Sequence, residues 1–432
     1  MKKIILYIFF ILISVVFADY KITKYEENIK FTDYGREVKL KIKIMPKLQP
    51  NYYMNGWSLG FNKSQIINVI NAKVIDKKYD VSFDDNNLSF EFDETYNNEE
   101  LTFIIEYQEN IKKITKYGRQ EIVSIPDFAS GADGILSVEI PENYAVYHMD
   151  EQFIQNSNSY TWNGKVKDGG FKSSFFTTLK KAKWKFDSKI RVSSNTNFDK
   201  LNIVIPKYLE KKDNAQNYEI ITEGKVFNED GKTEVKFDNY NKQVAEVNVK
   251  MTILNNFDDK NLIELNSDDE NNINDIDSLN ELQKVLYEIK FNNDNITPLH
   301  IKIAKWVHEN IKYDMLYYAK TMNDKQILSN RRGVCEHYAQ LYSHLLKIAD
   351  IPSIIVEGKA YDTEKNKFEE HAWNLVYVGG KWISTDPTWG LYYGKLPISH
   401  ILLGKAHSST INITTSNEDA QINMEYNIKY IE

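Results

Sequence analysis

The chain has 432 residues, a formal net charge of −7 and a single cysteine. The acidic balance argues against a nucleic-acid partner, and one cysteine excludes an internal disulfide framework. With 28 tyrosines and 21 phenylalanines, the composition favours β-rich globular modules over disorder, in a length that suits two or three domains with cores of their own.

Met1-Lys2-Lys3 is a basic start, and Ile4 to Phe17 is apolar apart from Tyr7 and Ser14, with Val16 and Ala18 at the positions a signal peptidase reads. Residues 1–18 are therefore expected to be a cleaved signal peptide, and the mature protein to be secreted, periplasmic or at the cell surface. The run falls short of the roughly 20 apolar residues of a comfortable transmembrane helix, so an uncleaved anchor is the weaker alternative. No membrane span is expected after cleavage.

From Asp19 to about Leu265 the pattern is strand after strand. Val38, Leu40, Ile42 and Ile44 alternate with Lys39, Lys41 and Lys43, which turns one face to a core and the other to water. Leu88 to Phe92, Leu101 to Tyr107, Leu201 to Ile205 and Val247 to Ile253 repeat the alternation, and Asn163-Gly164, Asp168-Gly169-Gly170 and Asp230-Gly231 are hairpin signals. Two sandwich-like β modules are expected, 19–125 and 126–265, divided near Ile125-Pro126. Residues 266–277, almost wholly Asp, Glu, Asn and Ser, read as a solvated acidic linker; a calcium loop would need the glycine and terminal glutamate that this stretch lacks.

Helical grammar begins at Ser278. Ser278-Leu-Asn-Glu281 predicts a capping box for a helix through about Lys290, and Thr297-Pro298 predicts the start of a second helix through about Lys312. A third follows Gly333. After Ile351-Pro352 the period becomes extended, with strands expected over Ser353–Ala360, Ala372–Val378 and Lys381–Thr385, the last two joined by Gly379-Gly380. Residues 406–432 end in one more alternating strand through Ile422, Met424, Tyr426, Ile428 and Tyr430.

The lone thiol, Cys335, falls in the first turn of the predicted third helix, where unpaired backbone N–H groups and the positive dipole end favour a thiolate. A buried, inert cysteine is the alternative. A nucleophile needs a base, and among eight histidines His371 stands out: it opens a predicted strand, and a tight turn later Asp386 follows the neighbouring one. Antiparallel pairing would set Asp386 beside His371 and orient its ring, in the roles of a Cys-His-Asp triad. Taken singly, His371 also reads as a structural histidine at a strand end, and Asp386-Pro387 as a turn start. His337 with His344, and His400 with His407, lack the spacing of a zinc helix; no metal or cofactor is expected. Trp373, Trp382 and Trp389 read as core packing.

Gly333-Val-Cys-Glu-His-Tyr-Ala339, Ala349-Asp-Ile-Pro352, His371-Ala-Trp-Asn374 and Trp382-Ile-Ser-Thr-Asp386-Pro-Thr-Trp389 together resemble the core of the transglutaminase-like superfamily. The resemblance implies an α+β, papain-like catalytic domain over 278–405 behind the N-terminal all-β modules. It also implies Cys335 as nucleophile, His371 as base and acid, and Asp386 as orienter. An upstream aromatic oxyanion donor is implied as well, with Trp306 the candidate beside its packing role on an apolar helix face. The expected function is acyl transfer at a carboxamide of a protein or peptide, giving crosslinking with an amine or deamidation with water. Hydrolysis of a peptide or cell-wall amide is the alternative within catalysis. A noncatalytic surface protein whose β modules bind an envelope ligand is the alternative from another class.

Overall fold

The computed structural model describes residues 3–4, 19–33, 35–50, 52–61, 66–110, 119–149, 153–206, 215–229, 232–256, 273, 275–291, 296–363, 365–406 and 411–431. Lys3–Ile4 forms a two-residue strand beside Tyr53–Gly60; the rest of the expected signal peptide, the Asp230-Gly231 turn, most of the acidic linker and His407 lie outside the described residues. No helix among the described residues is long and apolar enough to cross a membrane. The chain divides into two compact units, Met1–Thr178 and Leu179–Glu432.

The first unit is built on a seven-stranded sheet whose centre is Asp133–Glu139, Asp19–Thr32, Gly35–Lys47 and Leu101–Asn110, in that order. Alternation explains it: Val38, Leu40, Ile42 and Ile44 are buried, as the period of two requires. Because Asp133–Glu139 pairs in parallel with Asp19–Thr32, the division expected near Ile125-Pro126 falls inside one sheet. Asn163-Gly164 makes no turn either. Both lie within the strand Ser159–Lys165, which pairs with Asp133–Glu139; the turn is the one predicted at Asp168-Gly169-Gly170, where both glycines take positive φ. On this sheet Tyr25 donates a hydrogen bond to buried Glu27 at 3.2 Å, and Arg36 pairs with Glu109. Burial pushes the Glu27 carboxyl up to about 7, with Arg36 and the Tyr25 hydroxyl opposing it.

In the second unit, Lys181–Ser193, Ala215–Thr222 and Val244–Asn256 form one four-stranded sheet with Gln421–Tyr430. Phe198–Pro206, Lys225–Glu229 and Lys232–Tyr240 form another with Asn412–Thr415. Ile190, Val247 and Val249 from the first pack with Ile203, Val235 and Phe237 from the second in one apolar core. The expected C-terminal strand thus completes a module that begins some 240 residues earlier (421 against 181), and residues 276–405 are inserted between its strands.

The insertion opens with four helices: α1, Ile276–Lys290; α2, Leu299–Asn310; α3, Asp324–Asn330; and α4, Cys335–Ile348. Two starts differ from expectation. The N-cap of α1 is Asp275, whose carboxylate accepts from the Asp277 and Ser278 N–H groups, so the predicted Ser278 cap lies inside the helix. Pro298, not Thr297, stands at the N-cap position of α2, without a side-chain cap bond. The short α3 is additional, with a capping box between Asn323 and Gln326. Tyr338, Leu341, Tyr342, Leu345 and Leu346 of α4 meet Leu282, Leu286, Ile303 and Val307 in a shared core, where each large side chain contributes about 1.5–3 kcal/mol by burial. Behind α4 lies an antiparallel sheet in the order Lys381–Thr385, Lys367–Val378, Ser353–Asp362, Ile401–Lys405.

Candidate active site

The turn that presents Cys335 is built by the residues around it. Lys312–Tyr313 pairs in parallel with Arg332–Gly333, so the strand ends where α4 begins. His337 then locks the turn: its Nδ1 accepts the Val334 N–H at 3.1 Å, and its Nε2 donates to the Lys320 carbonyl at 2.8 Å. A Cβ on Gly333 would stand 2.7 Å from the His337 Cβ, so only glycine lets the ring pack here. Cys335, the first residue of α4, stays partly exposed.

His371 lies in the strand Lys367–Val378, and its Nε2 donates to Asp386 Oδ2 at 2.8 Å. Cys335, at the start of α4, lies close enough to act on the same ring, where it adds to the rise of the His371 pKa. Residues far apart in the chain therefore converge, with Cys335 and Asp386 both acting on the His371 ring. The strand pairing explains it: Asn374 is opposite Thr385, which carries the chain to Asp386 at the flank of the His371 strand.

Asp386 is held on every side. Its backbone bridges to Leu391 in both directions, at 2.8 and 2.9 Å. Oδ1 accepts the Thr388 and Trp389 N–H groups at 2.9 and 3.3 Å, while Oδ2 accepts both His371 and His400, the latter at 3.2 Å. From α2, His308 Nδ1 donates to the Pro387 carbonyl at 3.0 Å. Gly390, at φ +70°, leaves room for the same ring.

Burial works against the charged forms of both partners, yet each is driven toward its ion. The Asp386 charge and hydrogen bond, with Cys335 adding to them, overcome burial and raise His371 to about 10. The His371 charge, its hydrogen bond and that of His400 hold the buried Asp386 carboxyl well below the usual carboxylate range. Trp389 stacks on the His371 ring, with centroids 4.3 Å apart and planes 20° apart, and shields the carboxylate bond from water, which strengthens it.

Trp306 sits partly buried on the helical core, with the Arg331 guanidinium 5.0 Å above its ring; these contacts are the packing role foreseen beside its oxyanion role. Three neighbours went unassigned in the sequence. Trp389 carries only a core-packing signal in the sequence. His400 was weighed only as a metal ligand with His407. Tyr313 gives no local signal, since it reaches the thiol through the pairing of Lys312–Tyr313 with Arg332–Gly333; burial and the neighbouring Cys335 push its phenol up to about 12. His344, by contrast, pairs with Asp324 at 2.6 Å inside the helical core, and His300 is buried against it, with its pKa lowered by that burial. The ligand atoms of His371, Asp386 and His400 lie within 4.8 Å of one another. Both ring N–H groups are committed to the same carboxylate oxygen, so the trio is organised as a hydrogen-bond network.

With that geometry in view, residues 288–387 match the family model of the transglutaminase-like superfamily. The mouse and human proteins named kyphoscoliosis peptidase are each 32% identical to this chain over 97 residues, which are 20% of this chain and 14% of theirs. The chain thus spans a small part of the length of these relatives. Among solved structures, a candidate cysteine protease from Cytophaga hutchinsonii aligns over 58% of this chain and 91% of its own at 17% identity, with a TM-score of 0.38.

Proposed function

We propose that the protein is a thiol enzyme that transfers acyl groups from amides, with Cys335 as nucleophile, His371 as acid and base, and Asp386 as its orienter. The observation that carries this reading is the buried Asp386–His371 bond on a ring that the helix-start thiol of Cys335 also influences. A helix N-terminus and an adjacent imidazolium each stabilise a thiolate. The substrate proposed first is a carboxamide side chain of a protein or peptide. Cys335 Sγ attacks its carbonyl carbon, the developing oxyanion is met by N–H groups of the first turn of α4, and His371 gives its proton to the departing ammonia. The thioester then passes its acyl group to a primary amine or to water, with His371 taking the proton of the attacking group. Trp306 stays the aromatic candidate for a second oxyanion contact.

Cleavage of a peptide bond uses the same steps with an α-amine leaving, and the peptidase name of the two mammalian relatives favours it as the second reading. Incubation with glutamine-containing peptides, with and without a primary amine, separates the two. Ammonia release without new N-termini supports acyl transfer or deamidation; new N-termini without ammonia support the peptidase. Neither product from wild type, with C335A as blank, overturns both. The domain containing the thiol is proposed as papain-like, the β modules as sandwich-like docking units for an envelope ligand, and the protein as exported through residues 1–18.

A further inference from the structure

His400 is unused by the mechanism above, yet it shares the atom that matters most to it. Its Nε2 lies 3.2 Å from Asp386 Oδ2, the oxygen that accepts His371, and its side chain is 2% exposed. Its Nδ1 is buried with no hydrogen-bond partner among the described residues. The two observations define its state. Nε2 must carry a proton to meet the carboxylate, and a second proton on Nδ1 would create a buried N–H without an acceptor. It would also place a second positive charge in a ring whose centroid is 5.9 Å from that of His371.

We propose that His400 is a positioning residue that shares Asp386 with His371 as a permanently neutral donor, and so sets how tightly the carboxylate holds the His371 proton. Rings of Trp373 and Trp389 stand edge-on to His400 at 5.4 and 5.1 Å and fix its plane. Asn255, from the strand Val244–Asn256, donates to the Ile398 carbonyl at 2.9 Å and to the His400 carbonyl at 3.5 Å, so the β module that flanks the insertion holds the segment in place. The titratable groups that bear on the pair are Asp386 and Cys335, with Tyr313, Tyr318, Glu336 and Glu370 around the thiol; Lys359 beside them is paired with Glu370. Burial keeps His400 below the usual histidine range, against the pull of Asp386. A neutral donor on Oδ2 drains charge that would otherwise bind the His371 proton more firmly, and an acid that must protonate a leaving amine gains from that.

This inference rests on the thiol-enzyme reading, and its test separates the two. Iodoacetamide alkylation of Cys335, followed by mass spectrometry from pH 5 to 11 in the full chain, changes rate when the thiolate forms and again when His371 loses its proton. Removing the donor in H400L is expected to move the upper inflection to higher pH by roughly 0.5–1 unit. H400Q, which keeps an N–H at the same depth, is expected to follow wild type. An unmoved inflection in H400L, or an equal shift in both variants, overturns the proposal. Nitrogen NMR of the wild-type ring needs no variant to fold. A neutral Nε2–H tautomer at His400 from pH 5 to 8 supports the proposal, and an imidazolium there overturns it. If the wild-type profile is the same in H371A, the thiol-enzyme reading falls together with the inference; if His371 matters and His400 does not, only the inference falls.

Discussion

Among the described residues, the inserted domain contains two buried carboxylates that accept histidine, Asp324 and Asp386, and only one of them belongs to a candidate active site. His344 Nδ1 meets Asp324 Oδ2 at 2.6 Å where α4 crosses α3, and the other carboxylate oxygen accepts Gln340 at 3.1 Å. His371 Nε2 meets Asp386 Oδ2 at 2.8 Å at the sheet. By distance and burial the two are nearly the same. What differs is the neighbourhood of each ring: His371 is influenced by the helix-start thiol of Cys335, whereas His344 lies among the packed helices. A buried His–Asp pair is therefore a device for fixing an imidazole, and it becomes chemistry only where the second nitrogen reaches a nucleophile.

Substitutions make that contrast measurable. The largest effect is expected from H371A, which should lower turnover of an amide substrate by roughly 10²–10⁴-fold while leaving the far-ultraviolet circular dichroism unchanged. D386N follows, with turnover down by at least about 10²-fold, because an amide in place of the carboxylate no longer favours the productive tautomer. H344A reverses the pattern: Asp324 loses its 2.6 Å partner and keeps Gln340, which should cost about 1–3 kcal/mol of stability in denaturant titrations, with the turnover of the folded fraction retained.

The pH dependence of stability sharpens the comparison further. His371 is raised in the folded protein from 6.5 to about 10, so its contribution is fully present below about 6.5 and fades as pH rises through about 10. Asp386 is lowered, so its contribution holds above the ordinary value of 3.8 and is lost as pH falls through its folded value. The melting difference between wild type and H371A should therefore be largest near pH 5–6.5 and shrink toward pH 10. Glu27 supplies the smallest effect and the opposite case, a buried carboxyl without an imidazole. Its folded value of about 7 lies above the ordinary 4.5, so stability present below 4.5 is lost as pH rises through 7. E27Q should raise the melting midpoint by about 2–4 °C at pH 8 and leave it unchanged at pH 4.

Much of the site was legible because its signals are local. The cysteine at a helix start, the strand Lys381–Thr385 and the Asp386-Pro387 turn each announce themselves within a few residues, and the pairing that joins His371 to Asp386 follows from one tight turn. What stayed hidden depends on contacts between distant segments. No local pattern shows that Gln421–Tyr430 pairs with Lys181–Ser193, or that Asp133–Glu139 joins the strand Asp19–Thr32. His400 arrives at Asp386 through a loop without a periodic signal, and Trp389 stacks on His371 only after the Asp386 turn has closed. Asn163-Gly164 shows the converse: a strong local turn signal yields when a strand from elsewhere, Asp133–Glu139, pairs along it.

The central claim is that His371, and not merely a buried histidine, activates Cys335. The most direct measurement is the rate of Cys335 carboxymethylation at pH 6 in wild type, H371A and H344A. An imidazolium that acts on the thiol predicts a clearly lower rate in H371A and a rate near wild type in folded H344A. Equal rates in wild type and H371A would contradict the account and leave Cys335 an ordinary thiol.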